Sequence, residues 1–135
     1  MPTLTRWYIK TALAWLVAAL ATGALLQTRM LSPAARSYVW PAYLHLITVG
    51  WLTGLIFGVA WWLFPRPDRS SPDRARAGWV SYSLLNAGLL LRAVAEPLGA
   101  APSALSRTLL LVSALAQLGG VVTFSAIIWP RVRAR

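Results

Sequence analysis

One histidine, His45, lies inside the uncharged run Tyr43-Leu44-His45-Leu46-Ile47-Thr48, where an imidazole needs a polar partner. A neutral imidazole keeps one unprotonated ring nitrogen, which is a strong ligand for haem iron, while the other nitrogen can donate to a carbonyl. The same two nitrogens serve equally well in hydrogen bonds to a neighbouring helix. Arg92 is the costliest charge in an apolar segment, and Glu96, four residues on, shares its helical face and can pair with it. Arg92 could also neutralise a haem propionate, with Arg36, Trp40 or Arg107 helping from the outer surface.

Gly50, Gly54 and Gly58 recur every four residues and clear one stripe of a helix for close approach by another backbone. At about 100° per residue, His45 lies roughly 140° to 220° from these glycines, so ridge and histidine are expected to face nearly opposite ways. Tight packing within the bundle accounts for the ridge more simply than direct contact with a cofactor. Asn86 and Gln117 fall near the middles of their helices and read as interhelical hydrogen-bond partners. Of the eight tryptophans, Trp7, Trp61, Trp62, Trp79 and Trp129 mark one interface and Trp40 the other, leaving Trp15 and Trp51 deeper.

The surroundings of these residues are apolar. With 58% hydrophobic and 12% charged residues in 135, the chain has too few polar groups to coat a water-soluble domain of its size. Thirteen Lys and Arg against three acids give a net charge of +10. The basic residues cluster at the ends of uncharged runs, as membrane orientation signals do, and form no patch suited to nucleic acid. The absence of cysteine excludes disulfides, thiolate metal sites and covalent c-type haem. With one histidine and three carboxylates, classical zinc, calcium or two-carboxylate hydrolytic sites cannot be assembled within one chain.

The runs predict an all-α fold: a single transmembrane domain over 1–135, an integral membrane four-helix bundle with helices over 7–26, 38–64, 78–95 and 104–129. The first run is too long for the core of a cleaved signal peptide. A polar loop is expected over 66–77, where Pro65, Pro67 and Pro72 accompany Asp68, Arg69, Asp73, Arg74 and Arg76. Pro130 is expected to close the last helix before an Arg131, Arg133, Arg135 tail. Nine Lys and Arg on the side of the termini against four on the other place both termini in the cytoplasm. Phe64-Pro65-Arg66 and Trp129-Pro130-Arg131 lie 65 residues apart, with Gly54 and Gly119 in the same register, a weak sign of a duplicated hairpin.

The segment Pro41-Ala42-Tyr43-Leu44-His45-Leu46-Ile47-Thr48-Val49-Gly50-Trp51, continued by Gly58-Val59-Ala60-Trp61-Trp62-Leu63-Phe64-Pro65-Arg66, resembles small bacterial membrane proteins related to haem-copper oxidase subunit I. These include nitric oxide reductase relatives and NnrS-like haem proteins. Leu84-Leu85-Asn86-Ala87-Gly88-Leu89-Leu90-Leu91-Arg92 extends the likeness over most of the chain. In that superfamily the second helix carries a histidine that ligates a low-spin haem near the outer face, and His45 matches its helix, direction and depth. The full oxidase has twelve helices and further histidines, so this resemblance implies no binuclear centre within one chain.

The resemblance therefore implies a haem b protein of the bacterial inner membrane, for electron transfer or for binding nitric oxide or oxygen beside a respiratory chain. A parallel homodimer in which two His45 side chains clamp one haem would remake a bis-histidine site. The alternative is a non-catalytic accessory or assembly subunit of a terminal oxidase or nitric oxide reductase, docking through its glycine ridge. A small multidrug exporter would need a carboxylate on its first helix, and none is there.

Overall fold

The computed structural model describes residues 1–64, 72–100 and 103–133. Among these, four long helices follow in order: α1 Thr3–Gln27, α2 Pro33–Leu63, α3 Pro72–Ala95 and α4 Ala104–Arg133, with a 3-10 turn Pro97–Ala100 before α4. No strand occurs among the described residues. Three stretches are long and apolar enough to cross a membrane: α1, α2 and Ala104–Val132 of α4. At 1.5 Å per residue, the 25 residues of α1 reach about 37 Å. Leu13, Val17 and Leu20 of α1 and Leu111, Leu115, Leu118 and Val122 of α4 point outward, an apolar exterior suited to lipid.

Local chemistry sets the helix ends. Ser32 caps α2 by accepting from the Ala35 N–H, and Pro33 follows at a position whose N–H has no helical partner. Ser103 and Ser106 cap α4 reciprocally, each backbone N–H donating to the other's hydroxyl at 3.1 Å.

Four boundaries differ from the sequence expectation: α1 starts at Thr3, α2 at Pro33 and α3 at Pro72, each ahead of its expected start, and α4 runs on to Arg133. Residues 72–77 are helical, because Pro72 starts α3 without losing a backbone bond and Asp73 in the first turn favours the helix dipole. The remainder of the expected loop, with Pro65, Arg66, Pro67, Asp68 and Arg69, lies outside the described residues, as does Arg135. Pro130 does not end α4, since a proline this near the terminus removes one bond from a helix that is already running out. The extra turn carries Arg131 inward, where it is 4% exposed and its guanidinium lies 4.4 Å from the Trp61 ring centroid. Trp61 is 4% exposed as well, so it belongs to the core and not to an interfacial belt.

The core is aromatic at this end. Phe57 of α2 stacks on Phe124 of α4 at 3.8 Å and 4°, and Tyr8 of α1 meets both rings edge-on. The Tyr8 hydroxyl donates to Ser81 Oγ, which donates to the Gly120 carbonyl, so three helices share one buried hydrogen-bonded chain. The α3–α4 contact is close enough that a Cβ at Gly88 would stand 2.9 Å from the Ser113 carbonyl oxygen, and the Gly88 carbonyl accepts from the Ser113 hydroxyl at 2.7 Å.

The glycine ridge of α2 is consumed inside the chain. A Cβ at Gly50 would meet Trp15 at 2.8 Å and Leu89 at 2.7 Å, one at Gly54 would touch Ala12, and one at Gly58 would meet Tyr8 at 2.9 Å. The ridge therefore packs on α1, as tight bundle packing predicts.

Candidate functional site

His45 ends the upper α-helical part of α2, and the next eight residues, Leu46–Thr53, form a π-helical segment before α-helix resumes at Gly54. The Thr48 hydroxyl donates to the Leu44 carbonyl and the Thr53 hydroxyl to the Thr48 carbonyl, supplementing the loosened ladder. Such a wide turn inserts about one extra residue, which reduces the His45-to-Gly54 azimuth from about 180° to roughly 80°. The expected opposition of ridge and histidine is thereby removed. His45 faces Arg92 and Gly50 faces Leu89, two α3 residues one turn apart.

The imidazole is held at both nitrogens. Nδ1 lies 2.8 Å from the Pro41 carbonyl oxygen, one turn back on α2, and 3.5 Å from Glu96 Oε1. Nε2 lies 2.7 Å from Arg92 Nη1. Since a guanidinium only donates, this contact assigns the Nε2 lone pair as acceptor and places the ring proton on Nδ1, donating to Pro41.

Arg92 and Glu96 form the pair expected from their spacing, with Nε 3.2 Å from Oε1. The Glu96 N–H bonds the Arg92 carbonyl, so the helical turn that places both side chains on one face extends past Ala95. The cluster is sheltered: side-chain exposure is 29% for His45, 20% for Arg92 and 9% for Glu96. Its hydrogen bonding is incomplete, because Arg92 Nε and Glu96 Oε2 are buried without a hydrogen-bond partner.

The other residues proposed for this site are elsewhere. Arg36 donates to the Thr28 carbonyl and ties the start of α2 to the end of α1, about 13 Å of helix rise above His45. Trp40 is half-exposed beside Tyr43, its ring 5.4 Å away, in a groove of about 310 Å³ lined also by Leu20, Gly23 and Gln27 of α1. Arg107 is exposed on the rim of a second groove of about 320 Å³, whose walls include Tyr38, Pro41, Glu96 and Leu110. Of Arg36, Trp40, Arg92 and Arg107, only Arg92 hydrogen-bonds the histidine among the described residues.

Deeper in the bundle, Trp15 Nε1 donates to Asn86 Oδ1 at 2.8 Å, the interhelical role expected of Asn86. Gln117 instead bonds Ser113 on its own helix, and it is Ser113 that donates across to the Gly88 carbonyl. Ser81 and Ser113 carry interhelical bonds that sequence reasoning missed. Their only signal was a small polar residue on the apolar face of a helix near glycine.

A single imidazole can supply one axial bond to haem iron, and the tautomer fixed by Pro41 leaves Nε2 as the nitrogen to do so. The Arg92 guanidinium covers that nitrogen, so the residues fit haem only once it has turned aside. Comparison with family models, curated proteins and solved structures returns no match to this chain.

Proposed function

We propose that this chain is a four-helix protein of the bacterial inner membrane, with both termini cytoplasmic, that holds b-type haem through His45 Nε2 at the outer end of α2. Its role on this reading is electron transfer or binding of a diatomic gas beside a respiratory chain. The observation that carries the reading is the bond from Nδ1 to the Pro41 carbonyl, which orients the ring and reserves Nε2 as the basic nitrogen. The adjacent Arg92 supports it, being a cation within reach of an acidic substituent on a ligand at His45. Haem supplies the redox-active iron; the chain's own residues orient the imidazole, place a positive charge beside it and surround both with apolar helices. Two copies of His45 in a parallel homodimer would give six-coordinate iron, and one copy would leave a face open to gas.

A reduced-minus-oxidised absorption spectrum of protein purified from haem-supplied cells tests this. A Soret band with sharp reduced α and β bands is expected, lost in His45→Ala, and a haem-to-protein ratio near one half would support the shared site. Colourless protein would overturn the reading.

The saturation of both His45 nitrogens by Pro41 and Arg92 favours a second reading, in which the cluster pins α2 to α3 in a non-catalytic accessory or assembly subunit of an oxidase or reductase. Docking would then use the lipid-facing sides of α1 and α4, since the glycine ridge is occupied within the chain.

A further inference from the structure

We propose that Arg92 is a two-position cap on His45, covering Nε2 in one position and releasing it by closing a two-pronged bond with Glu96 in the other. In the arrangement described, Nη1 serves His45 while Nε stands near Oε1 without the alignment of a hydrogen bond. The two buried atoms left unsatisfied are a donor on Arg92 and an acceptor on Glu96, Nε and Oε2. They belong to the same ion pair. Rotating the guanidinium toward the carboxylate lets the fork of arginine meet both carboxylate oxygens, the geometry in which these groups bind most strongly. The bond surrendered at Nε2 is thus offset by satisfying two charged atoms that are otherwise orphaned.

Both positions keep Arg92 and Glu96 paired within one turn of α3 and its extension, so the change needs side-chain torsions and no helix movement. Glu96 is accordingly a positioning residue: it touches no ligand of His45 and acts by drawing Arg92 away. That the exposed nitrogen then meets haem iron rests on the function proposed above; the existence of two positions does not.

Because the chain has one histidine, its acylation by diethyl pyrocarbonate, followed by peptide mass spectrometry at pH 7, reads Nε2 access at a single site in haem-free protein. The rate is set by the fraction of molecules with Nε2 uncovered. Arg92→Ala removes the cap and is expected to react about tenfold faster than wild type. Glu96→Gln weakens the releasing position and is expected to react roughly threefold more slowly. A static cluster in which Glu96 merely anchors Arg92 gives the opposite sign, because loosening the arginine would expose the ring. Glu96→Gln reacting as fast as wild type or faster overturns the proposal, and so does a folded Arg92→Ala with unchanged rate. Should Arg92→Ala fail to fold by circular dichroism, the Glu96→Gln rate decides alone. A colourless wild-type protein with these rates would leave the cap standing and remove the haem.

Discussion

Arg92 Nη1 lies 2.7 Å from His45 Nε2, joining α3 to α2 through the one ring nitrogen that could bind a metal. The contact follows from two local features acting together. The π-helical segment below His45 turns the ring toward α3, and the Pro41 carbonyl above it takes the Nδ1 proton.

Restoring regular α-helix below His45 should therefore break the contact. Deleting Ile47 removes one residue from the wide turn and rotates the upper part of α2 by about 100° relative to the glycine ridge. The expected outcome is loss of the His45–Arg92 hydrogen bond, checked by the ¹⁵N shifts of the imidazole. Retained shifts would show that the turn does not aim the ring.

Gly50 in the α2 ridge should be sensitive to an added methyl and Gly119 of α4 tolerant of one. Gly50→Ala places a methyl 2.7–2.8 Å from Leu89 and Trp15 and should destabilise the bundle by about 1–3 kcal/mol. Gly119→Ala, whose new methyl would meet only Leu84 at 3.6 Å, should be close to neutral. Thermal unfolding in one detergent compares them, and equal midpoints would contradict the packing described.

Removing one end of the Trp15–Asn86 bond should cost more than removing both. Trp15→Phe leaves Asn86 Oδ1 without its donor, an expected loss of about 1 kcal/mol for a hydrogen bond in this setting. Adding Asn86→Leu should recover part of that loss. A strictly additive double variant in denaturant titration would argue against coupling.

Ser81 should matter more than Tyr8's hydroxyl. Ser81→Ala removes both bonds and leaves the buried Tyr8 hydroxyl without its partner, for an expected loss of about 2 kcal/mol, whereas Tyr8→Phe removes only the outer bond and should lose about half as much. Unfolding midpoints rank the two, and the reverse order would contradict the direction assigned to the chain of bonds.

Much of the architecture is legible along the chain because helices long and apolar enough to cross a membrane are set by one-dimensional quantities. Uncharged runs such as 11–28, between Lys10 and Arg29, and 37–65, between Arg36 and Arg66, locate α1 and α2 with no knowledge of their neighbours. The four-residue spacing of Arg92 and Glu96 likewise determines their pairing, since both lie on one rigid turn. Tertiary structure alone decided which way His45 faces. A helical wheel assumes a constant turn, and one inserted residue in Leu46–Thr53 moves the ring by a large part of a revolution. Packing also decided that Trp61 is core, that Arg131 stacks on it, and that Ser81 and Ser113 bond across helices. Each depends on which backbone comes near, and proximity between helices is not a property that residue type or spacing within one helix can encode.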